Sequence, residues 1–133
     1  MSKLLASIKD IKSVDNLNIV VFDFYGTKLK MMSLELSDNI KIGSKVLLST
    51  KPTSVALAKN FDGDISFSNQ LRAKVIDIDK GELLCCIKLF IANSIFESII
   101  TIDSLNKLQL KIDDEVIAFI KASDISIYKV CDD

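Results

Sequence analysis

The side chains that could do chemistry in this chain are hydroxyls, carboxylates, lysines and three thiols, because its 133 residues include no histidine. Without histidine, His-based triads, zinc sites and haem sites are excluded. Cys85, Cys86 and Cys131 lack metal-ligand spacing and a fourth ligand type, and adjacent thiols would point to opposite faces of a strand. We therefore expect reduced thiols and no metal site. The carboxylates are not clustered and no nucleophile–base pair is evident, so the chain is not expected to be an enzyme.

The charge of the chain is nearly balanced, with 17 basic and 18 acidic residues. Its single arginine is Arg72. This composition gives no global attraction to nucleic acid or to an anionic membrane. Apolar runs fall far short of the roughly 20 residues that span a bilayer, and Met1–Asp10 lacks the pattern of a signal peptide. We predict a cytoplasmic protein with neither a membrane nor a nucleic-acid partner.

Three segments combine hydroxyl, amide and lysine side chains. They are Ser66-Phe67-Ser68-Asn69-Gln70-Leu71, Thr101-Ile102-Asp103-Ser104-Leu105 and Lys121-Ala122-Ser123. Together they resemble the molybdate-binding Mop domain of the TOBE family, which opens with a Ser-Ala-Arg-Asn-Gln-Leu-like segment, continues with Thr-x-x-Ser and closes with Lys-Ala-Ser. The resemblance covers residues 66–130 well and residues 3–58 more loosely, so the chain looks like a di-Mop protein.

The resemblance implies a site for molybdate or tungstate, which family members bind through hydroxyls, backbone N–H groups and a lysine where modules or subunits meet. Such a dianion presents only acceptors, so the site needs only donors, and hydroxyls can rotate toward it. A lysine adds a charge-assisted hydrogen bond, and the N–H groups of a short helix after Thr101 would face the anion. The residues carried over are Ser66, Ser68, Asn69, Thr101, Ser104, Lys121, Ala122 and Ser123, with Lys51 and Thr53 from the first copy.

Each of these residues also has a structural interpretation. Hydroxyls at strand ends commonly form turns and caps, so Thr101 could simply cap a helix. Lys121 could end a strand on a solvated face. Asn69 and Gln70 could do no more than satisfy backbone groups where the chain enters the barrel.

The sequence departs from the family in two places. Ser68 stands where the family has arginine, which removes a delocalised positive charge. The first copy begins too close to Met1 to hold the opening segment, and it lacks a clear Thr-x-x-Ser. Lys51 and Thr53 therefore either complete a pocket opened by residues 66–70 or belong to a copy that is mainly a packing partner.

Strand patterns dominate the rest of the chain, as short apolar runs separated by turn residues. Two runs flanking Tyr25-Gly26 predict a hairpin. The stretch Asp103–Leu110 is predicted to be a short helix, with Thr101 or Asp103 as its cap. The polar segment Lys59–Asp64 is predicted to be a linker.

The two halves repeat. Ala6–Ile11 matches Ala73–Ile78 at an offset of 67 residues, and Lys51–Leu57 matches Lys121–Ile127 at an offset of 70. We therefore predict an all-β fold of two tandem OB-like five-stranded Greek-key barrels (Mop/TOBE modules), in residues 1–60 and 65–133, each with at most one short helix. Because such small modules bury little core alone, a homo-oligomer is expected, a dimer or trimer with sites at module interfaces.

The predicted function is a cytosolic binder of molybdate or tungstate, for storage or homeostasis of molybdenum, with no covalent cofactor. One alternative is a sensor or regulatory module of a molybdate-responsive or transport system that acts through a separate partner. A third possibility on this barrel type is an oligonucleotide binder, which wants a basic groove with stacking aromatics. The sequence disfavours it, with no Trp and only two Tyr.

Overall fold

A computed structural model describes residues 2–131, which form ten strands, one α-helix and two single 3₁₀ turns. The strands are β1 (Ser2–Val14), β2 (Leu17–Phe24), β3 (Thr27–Ser33), β4 (Lys45–Thr50), β5 (Ala56–Ala58), β6 (Asn69–Lys80), β7 (Leu84–Ile91), β8 (Ser94–Thr101), β9 (Glu115–Ile120) and β10 (Ser126–Cys131). The helix α1 is Ile102–Leu108, and the first and second 3₁₀ turns are Pro52–Ser54 and Ala122–Asp124. No helix within residues 2–131 is long and apolar enough to cross a membrane.

The strands form two five-stranded sheets, so the predicted all-β fold with two barrel-like modules is confirmed. One sheet has the order β10-β4-β1-β2-β3 and the other has the order β5-β9-β6-β7-β8. Buried and exposed residues alternate along the long strands, as in β1, where Leu4, Ala6 and Ile8 are buried. This period of two follows from the pleat, which points successive side chains to opposite faces.

The last strand of each half lies in the sheet of the other half. The short strand β5, from the first half, pairs with β9, and β10, from the second half, pairs with β4. Each sheet therefore takes four strands from one half of the chain and one from the other. The division into residues 1–60 and 65–133 stays a prediction about the sequence, because the sheets themselves cross it.

The connection between the halves carries no strand or helix from residue 59 to residue 68, as the predicted linker requires. Its first residue is nonetheless held in place. Lys59 Nζ lies 3.1 Å from the Asp114 carboxylate and donates to the Gln109 carbonyl oxygen at 3.0 Å. The backbone N–H of Lys111 and the nearby Lys59 ammonium lower the pKa of Asp114 below its ordinary value.

The strand registers confirm the internal repeat. Leu4 pairs with Leu48 in the first half as Leu71 pairs with Ala118 in the second, which preserves the offsets of 67 and 70 residues. A bulge also recurs at equivalent places in β1 and β6. The halves thus share one backbone plan, and their differences lie in side chains and in the segment before β4 and β9.

The hairpin turns use backbone with positive φ. The predicted turn at Tyr25-Gly26 is confirmed, with φ values of 48° and 85°. The equivalent turn in the second half is Ala92-Asn93, with φ values of 44° and 66°. Two consecutive residues with positive φ match the twist of the flanking strands. Ala92 gave no sequence signal for this turn, because alanine rarely adopts that conformation.

The predicted helix is shorter than expected and starts one residue earlier. Thr101 is its N-cap, since the Thr101 hydroxyl oxygen accepts the Ser104 backbone N–H at 3.1 Å. The helix ends at Leu108, and its C-cap Gln109 takes a left-handed conformation with a φ of 50°. Leu105 is the buried residue of this short helix and packs it onto the core.

The fully buried Asn69 side chain joins the two halves. Its amide oxygen accepts the Lys30 backbone N–H at 2.7 Å, and its amide nitrogen donates to the carbonyl oxygens of Lys30 and Ile120 at 3.0 and 3.1 Å. The equivalent residue of the first half, Ser2, uses its hydroxyl to accept the Glu97 backbone N–H at 2.9 Å. The first residue of β1 or β6 therefore ties each half to an edge strand of the other.

The Asn69→Ala substitution should strongly destabilise the fold. It leaves the backbone groups of Lys30 without partners in a partly buried place, which should lower the free energy of unfolding by about 3 kcal/mol. Urea unfolding followed by circular dichroism measures this loss. Gln70→Ala is the matched control, because Gln70 is exposed and makes one exposed hydrogen bond. Equal losses for the two variants would contradict the role of Asn69.

Candidate functional site

A cleft of about 440 Å³ lies where the first 3₁₀ turn meets β8, the start of α1 and the end of β9. We call it the first cleft. Its lining residues are Thr53, Ser54, Val55, Ala56, Phe67, Leu84, Ile99, Ile100, Thr101, Ser104, Lys121 and Asp124. Four of the ten predicted site residues thus share one cavity, and they come from both halves of the chain.

Thr101 and Ser104 present an ordered pair of hydroxyls to the first cleft. The Thr101 hydroxyl accepts the Ser104 backbone N–H and donates to the Ser104 hydroxyl oxygen at 3.1 Å. Because a hydroxyl has one hydrogen to donate, this arrangement occupies the hydrogen of Thr101 and leaves that of Ser104 available. Within this pair, Ser104 is therefore the hydroxyl that can donate a hydrogen bond to a bound anion. With seven residues, α1 is too short for its terminus to form an anion site unaided.

Lys121 and Thr53 reach the first cleft from different halves. Lys121 precedes the second 3₁₀ turn and is exposed, and neither of the two salt bridges within residues 2–131 involves it. Thr53 lies in the first 3₁₀ turn, which the buried Ser98 hydroxyl fixes by donating to the Val55 carbonyl oxygen at 2.7 Å. The cleft is thus built on rigid backbone and carries an ammonium group with no carboxylate partner in the described chain.

The segment that precedes β6 closes one side of the first cleft through Phe67. The Phe67 ring packs on the Phe119 ring, with a centroid separation of 5.6 Å, and Gln70 donates to the Phe67 carbonyl oxygen at 3.1 Å. Ser66 and Ser68 flank Phe67 in sequence but are not among the lining residues. Both amide hydrogens of the neighbouring Asn69 are used inside the protein, so its side chain has none left for an anion.

Ser123 does not lie in the first cleft. It lines a second cleft of about 360 Å³, where the second 3₁₀ turn meets β3 and the loop after it. The residues of this second cleft are Met31, Met32, Ser33, Glu35, Leu36, Ser37, Ile40, Ser123, Ile125, Ser126 and Ile127. The predicted residues Lys51 and Ala122 line neither cleft. The strand exchange places Thr53 and Ser123, the equivalent residues of the two 3₁₀ turns, in different clefts, whereas Lys121 and Asp124 line the same cleft as Thr53.

The structure adds residues that sequence reasoning missed. Asp124 is the second charged residue of the first cleft, and its backbone N–H bonds the Lys121 carbonyl oxygen at 2.9 Å in the second 3₁₀ turn. Leu84 and Ile100 form part of an apolar wall. Asp124 follows the Lys121-Ala122-Ser123 motif directly, and that adjacency was the one available signal. The apolar residues gave no signal, since aliphatics are frequent in every strand.

The cysteines line neither cleft, and within residues 2–131 no cluster of metal-ligating side chains occurs. Burial, then the hydrogen bond to Glu97 and its negative charge, raise the pKa of the Cys86 thiol to about 11. Burial also raises the pKa of Cys85, whose thiol donates to the Ile100 carbonyl oxygen at 3.6 Å. Both thiols therefore stay protonated at neutral pH, as expected of structural cysteines.

Alkylation of Cys86 should be slow in the folded protein. At pH 8 a pKa near 11, compared with the ordinary value of 9.0, reduces the thiolate fraction about 100-fold. Iodoacetamide labelling followed by peptide mass mapping measures the rate with and without urea. The rate for Cys86 should rise steeply on unfolding. A native rate equal to the rate in urea would show that the thiol is not held protonated.

A family model matches part of the chain. The model of the TOBE domain matches residues 65–127, which include β6 to β9, α1 and the start of β10. This range supplies most of the residues of the first cleft. No curated protein matches the sequence significantly.

Among the solved structures similar to the chain are a molybdate-binding protein and a smaller protein that matches half of the chain. The cytoplasmic molybdate-binding protein ModG, in a crystal form with molybdate bound, has 22% identity and a TM-score of 0.88 over 94% of this chain and 93% of that protein. At this identity the match shows the fold. MopII from Clostridium pasteurianum, in an apo form, has 36% identity over 50% of this chain and all of that protein, with a TM-score of 0.47.

Proposed function

Because the chain belongs to the TOBE domain family, we propose that it is a binding protein for molybdate or tungstate and that the first cleft holds the anion. The observation that carries this proposal is the convergence of Thr53, Thr101, Ser104 and Lys121 on one cavity. These side chains come from separate segments, yet they face the same space. The molybdate bound to ModG, whose fold this chain shares, supports the same ligand.

The donors of the first cleft suit an acceptor-only anion. The Ser104 hydroxyl hydrogen is free to point away from Thr101, and the hydroxyl of Thr53 makes no hydrogen bond within the described chain. Lys121 supplies a positive charge and Asp124 adds a negative charge to the same cleft, although no ion pair joins the two side chains. Because the two charges offset each other and Ser68 replaces an arginine, we attribute affinity to directed hydrogen bonds rather than to net charge.

The other predicted site residues do not line the first cleft, so we assign them less direct roles. Ser66, Ser68 and Ala122 lie next to lining residues, so we assign them a role through backbone N–H groups at the rim. Asn69 is assigned to the fold, since its amide is saturated. Ser123 lines the second cleft, and Lys51 lines neither cleft.

Molybdate should stabilise the protein against heat. A ligand present at 100 times its dissociation constant adds about 2.7 kcal/mol, which raises the melting temperature on the order of 5–10 °C for a chain of this size. Differential scanning calorimetry with molybdate, tungstate and sulfate tests this effect. Sulfate should shift the melting temperature less. The absence of any shift at millimolar molybdate would overturn the proposed function.

Lys121→Met should weaken molybdate binding by about 10- to 100-fold, because it removes a hydrogen bond from a charged donor worth about 1.5–3 kcal/mol. Isothermal titration calorimetry measures the dissociation constant. Lys107→Met is the matched control, since Lys107 is an exposed lysine in the last turn of α1 that lines neither cleft. Equal affinities for the Lys121 and Lys107 variants would remove the first cleft from consideration.

For the cellular role, we place the protein in the cytoplasm and favour storage or homeostasis of the oxyanion. Leu83 and Leu84 are 80% and 52% exposed beside the first cleft, which suits contact with another protein surface. A homo-oligomer would use this surface, and so would the separate partner that a sensor requires. Native mass spectrometry of the purified chain distinguishes them: a dimer or trimer supports the first, and a monomer with and without molybdate supports the second.

One observation bears on the oligonucleotide alternative. A cavity of about 450 Å³ on another face brings Arg72 and Lys74 near Phe61 and Phe90. Glu115 lies in the same cavity, and Lys74 pairs with Asp113 at 3.6 Å. Acidic residues thus offset the basic ones, which is unfavourable for a phosphate backbone. A shift of single-stranded DNA in an electrophoretic assay at moderate salt would support oligonucleotide binding.

A further inference from the structure

The two clefts are equivalent positions of the internal repeat. Each one lies between a 3₁₀ turn from one half and the last strand of the other half's hairpin, β8 or β3. The repeat offsets relate Thr53 to Ser123 and Ser104 to Ser37. One backbone plan therefore produces two clefts in each chain, and their side chains decide what each one binds.

Ser123 of the second cleft matches Thr53, but Ser104 and Lys121 of the first cleft have no working counterpart there. Leu34 occupies the place of Thr101 and is exposed, so no hydroxyl orients Ser37. The Ser37 hydroxyl instead donates to the Asn39 side-chain oxygen at 2.6 Å, and the Ser33 hydroxyl donates to the Glu35 carbonyl oxygen at 2.6 Å. Both hydroxyl hydrogens are spent within the loop, and hydroxyls without a free hydrogen cannot donate to an anion.

The charge and polarity of the lining residues also make the second cleft less suited to an anion than the first. Glu35 is the one charged residue that lines the second cleft, and it stands at the place of Ile102. Its carboxylate offers only acceptors and repels a dianion, and no lysine lines the second cleft to offset it as Lys121 offsets Asp124 in the first. Met31, Met32 and Leu36 make much of the remaining lining. Lys51, the counterpart of Lys121, does not line the second cleft.

Resting on the proposed function of the first cleft, we propose that each chain holds one oxyanion and that the second cleft excludes it. Leu34 and Glu35 cause this exclusion, because they remove the orienting hydroxyl and introduce a negative charge where Thr101 and Ile102 stand in the first cleft. The repeat thus carries one binding copy and one copy whose cleft has lost that chemistry. Lys51 and Ser123 then belong to the non-binding copy.

Counting molybdate per chain tests this proposal. Native mass spectrometry and isothermal titration calorimetry of the wild-type protein should give one anion per chain. Ser123→Ala should leave that anion in place, and Lys121→Met should weaken its binding at least 10-fold. A count of two per chain, or loss of the bound anion in Ser123→Ala, would overturn the proposal while leaving the proposed function intact. A wild-type count of zero would instead overturn the function.

Restoring the missing chemistry tests the assigned cause. The double variant Leu34→Thr/Glu35→Gln should bind a second molybdate, and Ser123→Ala added to it should remove that second anion alone. Asp38→Asn is the matched control, because Asp38 is an exposed carboxylate of the same loop that does not line the cleft. It should keep a count of one.

Retention of the first anion shows that the double variant is folded. A folded double variant with a count of one would overturn the roles of Leu34 and Glu35. If the double variant binds nothing, Glu35→Gln alone tests the charge, since it changes no shape and should admit a second anion at millimolar molybdate, more weakly than a variant that also restores the hydroxyl. A count of one for that variant, with the first cleft occupied, would overturn the role of Glu35.

Discussion

The buried amide of Asn69 is the interaction on which the arrangement of the molecule depends. It bonds the backbone of β3 in one half and of β9 in the other, and both its donors and its acceptor are satisfied. A buried amide is favourable only when every polar atom has a partner, so this geometry leaves little freedom in how the halves meet. It also fixes the start of β6, and with it the segment that places Phe67 in the first cleft. The Asn69 side chain therefore stabilises the fold directly and positions the first cleft indirectly, through Phe67.

Much of the fold could be predicted from the sequence. The alternation of aliphatic residues predicts half-buried strands, the glycine at Gly26 predicts a turn, and the repeat offsets predict two equal units. The exchange of β5 and β10 was not predictable, because the offset between equivalent residues is the same whichever sheet receives the strand. The turn at Ala92 was missed for a different reason. There the strand pairing on either side imposes a positive φ that Ala92 does not favour.

The candidate site was predictable in its residue types and only partly in its geometry. Thr101, Ser104, Lys121 and Thr53 meet in one cleft, whereas Ser123 lies in another, although the Lys121-Ala122-Ser123 motif suggested one group. Lys121 precedes the second 3₁₀ turn and Ser123 lies within it, and the two side chains line different clefts. The hydrogen-bond partners that occupy Asn69, Ser33 and Ser37 were also invisible in the sequence, since they depend on which strands and loops become neighbours.

The exchange of terminal strands has a consequence for how the chain reaches its native state. A chain with a single copy of the repeat would complete its sheet only by meeting another chain, so its folding would depend on concentration. The linker of residues 59–68 turns that encounter into an intramolecular step with a high effective concentration. The Lys59–Asp114 ion pair and the hydrogen bond to Gln109 hold the linker against its own second half. Because the two halves are covalently joined, their assembly is a first-order step. The link also disfavours strand exchange between separate molecules, which would produce open-ended oligomers.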